Sequence, residues 1–455
     1  MTDEGAVSVL DGVPIVMVLV AANRLPFSPL ETVCLDHEED FILLMRWLKQ
    51  NGFRSRDCHL KPACLPETGR GLVTTRKLKA GDTLLEIPRH LLITAQSILE
   101  TELGSVIKRQ TRKPTPQQVM CAFLLTERSK GKASFWYPYI NVLPTHFTMP
   151  ACCFRDRSVS SYLPEPAKTQ FLHQYQRIQS AFSNATQLFE DVERTFPQYH
   201  GLFDFSSFLW AWFVINSRSV YIEPGDCEYL DPSVKDQCAL APFLDLLNHS
   251  PTANICAGLD ADADCYRIAT QDRYDAFSQV FIHYGPHDNT ALLLEYGFVI
   301  PGNPHDVVFF SLNAVMDAVK WVQGNMVRRP RTLNNMWERK AAILESESMH
   351  KDLSCSLEGP SWALRTALRV LCMDYHELRS WKRMIGGEGA ITSSSRLLIS
   401  SALQKLTDDA IEEVLSKLKT FHHPSEVSEE YLQPIKLFWE ERLKILHATQ
   451  AVIQT

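Results

Sequence analysis

Hydrophobic and polar positions change their spacing several times along the chain, and each change predicts a different kind of element. Residues 37–52 place apolar side chains at helical spacing, and Asn51-Gly52 ends the predicted amphipathic helix. From 60 to 95, short β-rich runs alternate with glycine, and the run LKAGDTLLEIP predicts a hairpin. Residues 96–215 return to helical spacing, which proline-rich joints interrupt.

The second half of the chain repeats this alternation. Between 235 and 300 the runs CALAPFLDLL, CYRIATQ and SQVFIHYG predict short strands. The run NTALLLEYGF predicts a short helix with Asn289 as its N-cap and Gly297 as a left-handed C-cap. From about residue 308 the pattern predicts helices at 309–328, 335–350, 360–384, 394–421 and 428–452. A long helical insertion therefore splits the β-rich material, and a helical region follows it.

Composition agrees with an ordinary soluble protein of more than one domain. Of the 455 residues, 45% are hydrophobic and 22% are charged. The net charge of −7 does not favour a protein that binds nucleic acid with its whole surface. The 12 cysteines form no CxxC pair, so neither a zinc ribbon nor a thioredoxin motif is indicated, and a reducing intracellular compartment is the simplest interpretation.

The first 36 residues contain an apolar run, VPIVMVLVAA at 13–22, that resembles the core of a signal peptide. The segment before it carries Asp3, Glu4 and Asp11 and has no lysine or arginine, which is the wrong charge for a signal sequence. The run is also about half as long as the ~20 residues of a membrane span. We therefore expect a flexible leader at 1–36 and no membrane association, with a signal or anchor as the alternative.

Two local motifs in the first β-rich region have both a functional and a structural interpretation. GRGL places Gly69 and Gly71 on either side of Arg70, so the backbone can approach a ligand closely, or simply turn. It is not the dinucleotide fingerprint GxGxxG, because no third glycine follows. Glu86, in LLEIP, lies on an apolar face and needs either a structural arginine or a bound cation as its partner.

Further polar residues interrupt the apolar runs of the second β-rich region. Arg218 follows LWAWFVINS and needs an acceptor if it is half-buried. In LDLLNHSP, Asp245, Asn248 and His249 have the spacing of one face of a helical turn. The alternative is that the polar groups only close a turn before Pro251.

Two other kinds of site receive little support. His249 and His283 are candidate metal ligands, but the chain has no HExxH motif. It also has no GxSxG elbow of a serine hydrolase. Tyr284, beside Gly285 at the end of a predicted strand, either presents its hydroxyl to a cleft or packs.

Taken in order, GRGL, LLEIP, NSR, DLLNHS, HYGPHDN and LLLEYGFV resemble the motifs of the SET-domain protein methyltransferases. The most specific part is Asn-His-Ser followed about 35 residues later by Tyr-Gly. The helical insertion and the helical last third resemble the subgroup typified by the plant Rubisco large-subunit lysine methyltransferase. The resemblance covers roughly residues 37–450.

The resemblance implies an α+β fold in which the Asn-His and Tyr segments of the SET β-fold cross in a pseudoknot. It also implies three parts of the chain. These are a leader at 1–36, a SET domain at 37–308 with its helical insertion at about 96–234, and an all-helical substrate-binding domain at 309–455.

The resemblance further implies that the chain binds S-adenosylmethionine, releases S-adenosylhomocysteine and uses no metal. Asn248 and His249 then hold the cofactor largely through backbone groups, and Phe298 lies against its adenine. The positions that match cofactor-binding residues of the family are Gly69, Arg70, Gly71, Glu86, Arg218, Asp245, Asn248, His249, Tyr284 and Phe298.

By the same resemblance, Tyr284 lies beside the axis of methyl transfer and is the candidate catalytic residue. Tyr296 matches the tyrosine that lines the lysine channel, and Arg218 and Tyr284 also border the substrate. A histidine-methylating relative carries Asn and Trp where this chain has Val220 and Leu244. Apolar residues at these two positions fit a lysine channel better than a site for imidazole.

The implied activity is protein-lysine N-methylation of a histone or non-histone protein. The alternatives are a protein-histidine methyltransferase and a non-catalytic SET-fold adaptor. We expect a protein substrate, with histone tails as one candidate, no direct nucleic-acid binding and a monomer. The expected location is the cytoplasm, the nucleus or both.

Overall fold

The computed structural model describes residues 31–54, 56–147, 157–223, 225, 227–234, 237–326, 334–385, 392–421 and 427–454. The apolar run at 13–22 lies outside these residues. The end of the predicted leader belongs to the fold, because strand β1 (Val33–Cys34) pairs with β2 (Leu60–Leu65).

Short strands and helices alternate through the first two thirds of the chain. After β1 and β2 the strands are β3 (Gly69–Thr74), β4 (Thr83–Pro88), β5 (Ile93–Thr94), β6 (Ser219–Ile222), β7 (Gln237–Leu240), β8 (Asn248–His249), β9 (Ile255–Asp260), β10 (Cys265–Thr270) and β11 (Phe281–Ile282). The helices are α1 (Glu39–Gln50), α2 (Ala95–Ile98), α3 (Gly104–Ile107), α4 (Pro116–Ser129), α5 (Tyr137–Ile140), α6 (Arg157–Ser160), α7 (Glu165–Thr195), α8 (Phe205–Arg218) and α9 (Asn289–Ala291).

The last third is mainly helical, as the sequence predicts. Its helices are α10 (Leu312–Met326), α11 (Asn334–Ser346), α12 (Trp362–Cys372), α13 (Tyr375–Arg379), α14 (Trp381–Ile385), α15 (Ser393–Thr420) and α16 (Glu429–Gln454). A small antiparallel sheet was not predicted; its strands are β12 (Val308–Phe309), β13 (Ser354–Ser356) and β14 (Gly359–Pro360). None of the helices in the described ranges has the length and apolar character needed to cross a membrane.

The β-rich material forms several small sheets. Strands β1–β2–β3, β4–β10–β9 and β5–β7–β6 make three antiparallel sheets. Strand β8 instead pairs in parallel with β11, with Asn248 opposite Phe281 and His249 opposite Ile282. This pairing brings the Asn-His segment beside the segment that leads to Tyr284, as the resemblance implies.

Two large hydrophobic cores hold these elements together. The first lies among the sheets and the insertion helices and includes Leu48, Leu85 and Phe213. The second is built mainly by the last third, but Phe171 of α7 and Leu293 also belong to it. Trp439 of α16, fully buried, donates from Nε1 to the carbonyl of Tyr162 at 2.7 Å. The helical last third therefore packs directly on the insertion.

Several local predictions differ from the structure. The run LKAGDTLLEIP does not form a hairpin, because β4 pairs with the distant β10 while Leu78 bridges to Tyr274. Strand β6 lies inside the range predicted as the helical insertion. Asp288, not Asn289, is the N-cap of α9, and its carboxylate accepts from the amide of Ala291. These outcomes depend on pairing between distant segments, which local spacing does not report.

Candidate functional site

A cavity of 520 Å³ opens beside β6 and β9, which are edge strands of two different sheets. Residues of β6 form part of one wall and residues of β9 form part of another. Four of the predicted site residues line the cavity, namely Arg218, Asp245, Tyr284 and Tyr296. Two antiparallel sheets and the parallel β8–β11 pair thus bring together residues that lie up to 78 positions apart in the sequence.

Tyr284 is held at both its backbone and its hydroxyl. Its amide donates to Nδ1 of His249 at 3.1 Å, and its hydroxyl donates to the Leu247 carbonyl at 2.7 Å. Its ring stacks on that of His249 with 5.1 Å between the centroids. Burial raises the pKa of Tyr284 well above its usual range, so the hydroxyl stays protonated at neutral pH. Tyr284 is therefore a fixed hydrogen-bond donor rather than a base.

His249 is a neutral imidazole with one unused donor. Nδ1 accepts from the Tyr284 amide at 3.1 Å and lies farther, at 3.4 Å, from the Ile282 carbonyl. The shorter contact places the hydrogen on Nε2. Burial lowers the pKa of His249 to about 4, which excludes the charged form at neutral pH. Nε2 is buried and meets no acceptor among the described residues. An unpaired buried donor of this kind suits a ligand acceptor.

Asp245 forms a buried charge cluster with Arg218. The Arg218 guanidinium donates from Nη1 to the Asp245 carbonyl at 3.0 Å, and the same atom lies 3.6 Å from the Oδ2 carboxylate oxygen. The hydroxyl of Tyr139 donates to Oδ2 at 3.1 Å. Burial raises the pKa of Asp245, while Arg218, Tyr139 and Arg70 act in the opposite direction.

Asp245 and Asn248 do not share the face of a helical turn, as their spacing suggested. A 3₁₀ turn covers Leu244–Leu246, and the chain then enters strand β8. The buried carboxylate of Asp245 consequently contacts Arg218, whereas Asn248 extends to β3. Asn248 and His249 do not close a turn either, because both lie in strand β8.

The GRGL segment packs directly on Asn248. Nδ2 of Asn248 donates to the Arg70 carbonyl at 3.2 Å. A Cβ atom on Gly71 would lie 2.7 Å from the same Nδ2, so only glycine fits without displacement. Gly69 has φ +68°, in the left-handed region that favours glycine. Gly71 therefore allows β3 and β8 to approach each other closely, while Gly69 allows the chain to turn into β3.

Arg70 contacts Asn248 through its backbone carbonyl and the helical insertion through its side chain. Its Nη1 donates to the Val142 carbonyl at 2.8 Å. Burial, with the charge of Arg218 nearby, lowers the pKa of Arg70 to about 10, so it remains charged at neutral pH. The half-buried Arg70 side chain thus links the site to the insertion.

Tyr296 and Phe298 follow one another along a small aromatic row beside Tyr284. Ring centroids are 5.2 Å apart for Tyr284 and Tyr296 and 6.1 Å apart for Tyr296 and Phe298. A π-helical turn over Leu292–Tyr296 ends at Gly297, whose φ of +88° confirms the predicted left-handed C-cap. Burial raises the pKa of Tyr296 to about 12. Single π turns of this kind occur frequently at functional sites.

A buried clamp fixes both ends of this π-helical segment. Nδ2 of Asn289 donates to the Ile300 carbonyl at 3.0 Å and to Oδ2 of Asp306 at 2.8 Å. The Asn289 amide donates to Oδ1 of Asp306 at 3.0 Å. Burial raises the pKa of Asp306 to about 6. The clamp therefore sets the position of the loop that carries Tyr296 and Phe298.

Glu86 is the one predicted site residue that the structure does not bring to this cluster. Its Oε1 accepts from Nε of Arg267, its cross-strand partner on β10, at 2.8 Å. Arg267 also pairs with Asp260 at 2.6 Å. Glu86 lines a separate cavity beside Phe53. Arg267 is therefore the structural arginine that the sequence suggested as a partner for Glu86. A contact between Glu86 and the cofactor stays a prediction.

Sequence reasoning missed two residues next to the site. Tyr139 lies in the aromatic run WYPYINVLP, which carries no signal for a role beyond packing. Gln279 accepts from the Thr68 hydroxyl at 3.0 Å. Its Nε2 is buried near Gly71 and has no hydrogen-bond partner in the part of the chain that the structure describes. Both side chains acquire their significance only from contacts with distant segments.

The described residues contain no group of three or more His, Cys, Asp or Glu side chains arranged to hold a metal ion. The rings of His249 and His283, the two candidate ligands, meet edge to face at 5.4 Å. The arrangement instead offers buried hydrogen-bond donors, a fixed tyrosine hydroxyl and an aromatic row.

Comparison with known proteins identifies the class to which this fold and site belong. The SET-domain family model matches residues 69–285, which span the segments from GRGL to Tyr284. The chain is 34% identical over 423 residues to SET domain-containing protein 4 of Homo sapiens, covering 92% of each chain. The chain therefore belongs to the SET-domain family, and the resemblance in its ordered motifs is confirmed.

More distant relatives show how far the likeness extends. The chain is 29% identical over 353 residues to the actin-histidine N-methyltransferase of Xenopus tropicalis, covering 75% of this chain and 55% of the relative. A crystal structure of the SET domain of LSMT bound to lysine and AdoHcy has a TM-score of 0.62 at 17% identity, covering 92% of this chain and 91% of that one. That structural likeness shows the α+β SET fold.

Proposed function

We propose that this protein is an S-adenosylmethionine-dependent protein methyltransferase whose acceptor is the side-chain amine of lysine. The observation that carries the proposal is the position of Tyr284. Its hydroxyl is fixed on the Leu247 carbonyl, at the cavity wall, in a chain that belongs to the SET-domain family. The solved neighbours include SET domains bound to AdoMet and to lysine with AdoHcy, which agrees with both ligands.

The residues present fit the proposed cofactor. Its carboxylate, ribose and adenine need hydrogen-bond donors, and Nε2 of His249 and Nε2 of Gln279 are buried donors that have no partner within the described ranges. The close contact of Gly71 with Asn248 places β3 directly beside β8. The residues that would hold the cofactor are Gly69, Arg70, Gly71, Asn248, His249 and Phe298, with Asp245 and Arg218 supporting them and Glu86 as the predicted contact outside the cluster.

The cofactor supplies a methyl group on a positively charged sulfur. The side chains of this protein then have three tasks, namely to orient the acceptor, to keep it neutral and to exclude water. Tyr284 and Tyr296 keep their protons at neutral pH, because burial raises both pKa values. They orient groups and do not remove the proton of the amine. The amine must lose its proton to water before transfer, and contact with the apolar side chains of Val220 and Leu244 in the cavity wall lowers its pKa in the required direction.

Two cavity residues support lysine over histidine as the acceptor. Val220 of β6 and Leu244 both line the cavity. Their hydrocarbon side chains can pack along the methylenes of lysine but cannot donate or accept a hydrogen bond at an imidazole nitrogen. Actin-histidine N-methyltransferases are nevertheless among the relatives, at 29% identity for the Xenopus tropicalis protein, and this likeness makes histidine the second candidate acceptor.

We assign residues 309–455 to a substrate-binding domain that also supports the site. Nε2 of Gln174 donates to the Leu294 carbonyl, and the amide of Gly302 donates to Oε2 of Glu441. These contacts tie the π-helical segment to α7 and α16. The proposed partner is a protein substrate, with histone tails as one candidate.

We also propose that the protein acts as a monomer without binding nucleic acid. Its proposed location is inside the cell, in the cytoplasm, the nucleus or both. No disulfide joins any two of the ten cysteines in the described ranges, which supports a reducing compartment.

The proposal is tested with peptide libraries that offer lysine or histidine as acceptor, with labelled S-adenosylmethionine and detection by mass spectrometry. We expect methyl-lysine from the wild type. Tyr284→Phe should lower turnover about tenfold or more, since a buried carbonyl loses its donor beside the reacting groups. Affinity for S-adenosylhomocysteine should change much less, because the ring still stacks on His249.

The matched control is Tyr274→Phe, which removes a hydroxyl that donates to the Phe281 carbonyl at 3.3 Å outside the cavity lining. This variant should retain turnover. Methyl-histidine as the product would assign the second acceptor. Cofactor binding without any transfer would support the non-catalytic adaptor instead, and equal losses of turnover and affinity in Tyr284→Phe would contradict the role of Tyr284.

A further inference from the structure

We infer that Tyr139, a residue of the helical insertion, is a positioning residue for the proposed cofactor site and acts through Asp245. The inference rests on the proposed function and extends it to a side chain that does not line the cavity. It assigns the short segment from Tyr139 to Val142 a role in binding the methyl donor, although this segment lies outside the β-rich halves of the fold.

The first observation is the hydrogen bond from Tyr139 to Asp245. Both side chains are buried, and the tyrosine hydroxyl donates to Oδ2 at 3.1 Å across 106 residues of sequence. The backbone carbonyl of Asp245 accepts a hydrogen bond from Arg218. A buried carboxylate needs such donors, because burial without them strongly disfavours its charged form.

The second observation is independent of the first and comes three residues later in the insertion. The carbonyl of Val142 accepts from Nη1 of Arg70 at 2.8 Å. The carbonyl of Arg70 in turn accepts from Nδ2 of Asn248, three residues after Asp245. The insertion thus touches β3 at one end and the Asp245–Asn248 segment at the other. These contacts close a ring that fixes the distance between the two sides of the site.

This ring predicts a specific dependence on pH. Four groups from different elements face the Asp245 carboxylate: Tyr139 of α5, Arg218 of α8, Arg70 of β3 and Tyr284 after β11. The donation from Tyr139 lowers the pKa of Asp245, so its loss must raise that pKa further. As pH falls, Asp245 then becomes protonated at a higher pH and loses the negative charge that attracts Arg218, whose Nη1 lies 3.6 Å from Oδ2. The hydrogen bond from Arg218 to the Asp245 carbonyl does not titrate. The affinity for the cofactor should decline at a higher pH than in the wild type.

The test is a series of calorimetric titrations with S-adenosylhomocysteine between pH 5 and 8. In Tyr139→Phe, the acid decline of affinity should move upward by about 0.5 to 1 pH unit, the shift that corresponds to one hydrogen bond of ordinary net strength. The matched control is Tyr199→Phe. Tyr199 is buried in the same insertion, its hydroxyl donates to Oε1 of Glu102 at 3.1 Å, and it does not line the cavity. This control should leave the acid decline in place.

A second measurement on the wild type covers the case in which Tyr139→Phe fails to fold. S-adenosylhomocysteine should slow hydrogen exchange of the backbone amides at 137–142 and leave those at 197–202, around Tyr199, unchanged. An acid decline that is the same in both variants, or unchanged exchange at 137–142, would overturn the positioning role while the proposed function stands. If the wild type binds no S-adenosylhomocysteine at any pH, the proposed function fails and this role fails with it.

Discussion

Asn248 joins two strands at the edge of the proposed cofactor site, through the bond from its Nδ2 to the Arg70 carbonyl. We predict that Asn248→Ala weakens the affinity for S-adenosylhomocysteine about tenfold, since a lost hydrogen bond in a buried setting costs about 1 to 3 kcal/mol. Isothermal titration calorimetry measures the change. Asn325→Ala removes a comparable amide bond, to the Trp321 carbonyl on an exposed helix surface, and should leave the affinity unchanged. Wild-type affinity in a folded Asn248→Ala variant would contradict the placement of the cofactor beside β8.

At the level of single residues, the sequence identified many candidates but not their partners. Asp245, Asn248, His249 and Tyr284 were recognised from their ordered motifs, and the structure brings them together. Their hydrogen-bond partners could not be predicted, because each contact joins residues that are far apart in the sequence. The Tyr139–Asp245 bond joins residues 106 positions apart, and no periodic pattern records such a distance.

Among the elements, the π-helical segment with its Asn289–Asp306 clamp offers a test by pH. The pKa of Asp306 rises from its ordinary 3.8 to about 6 because burial disfavours the charged form. The folded protein therefore binds this proton more tightly than the unfolded chain. The favourable contribution is complete below about pH 4 and is lost as pH rises to about 6, with a magnitude of roughly 3 kcal/mol at most.

The corresponding prediction compares the wild type with Asp306→Asn, which cannot ionise. Urea denaturation at pH 4.5 and 7.5 gives the free energy of unfolding of each protein. Between these two values the wild type should lose more stability, or gain less, than the variant. An identical change in both proteins would show that Asp306 does not titrate in this interval.

Whole elements were predictable where their pattern is long and local. The helices at 39–50, 393–420 and 429–454 match the predicted ranges within two residues, because periodic burial of one face is recorded directly in the sequence. Short strands were less predictable. The supposed hairpin at LKAGDTLLEIP instead supplies β4 to a sheet with β10, and two or three residues of β12 to β14 carry too little pattern to be recognised.

For the molecule as a whole, the structure predicts the outcome of removing the last third. Residues Phe171, Leu293 and Val299 belong to the second core, whose other members lie mostly after residue 308. A chain ending at residue 305 would expose these side chains to water, each at a cost of about 1.5 to 3 kcal/mol. We expect it to aggregate or to melt without a cooperative transition, as circular dichroism would show. Cooperative melting within a few degrees of the full chain would contradict the shared core.

The overall division of the chain was visible in advance, whereas its assembly was not. The changing spacing of hydrophobic and polar residues indicated two β-rich regions, an insertion and a helical last third. The spacing of apolar residues did not show that the insertion and the last third would share a core. Packing between helices also depends on the shapes of the side chains that meet.

The bond between Trp439 and Tyr162 has a consequence for how the protein is made. These residues are 277 positions apart, so the second core closes only after α16 has left the ribosome. At typical rates of about 5 to 20 residues per second, synthesis from Tyr296 to the end of α16 takes about 8 to 32 seconds, and the loop that carries Tyr296 stays uncovered for that time. Such high contact order slows folding and leaves apolar surface open to wrong partners. The nascent chain is therefore expected to depend on chaperones until its last helix is in place.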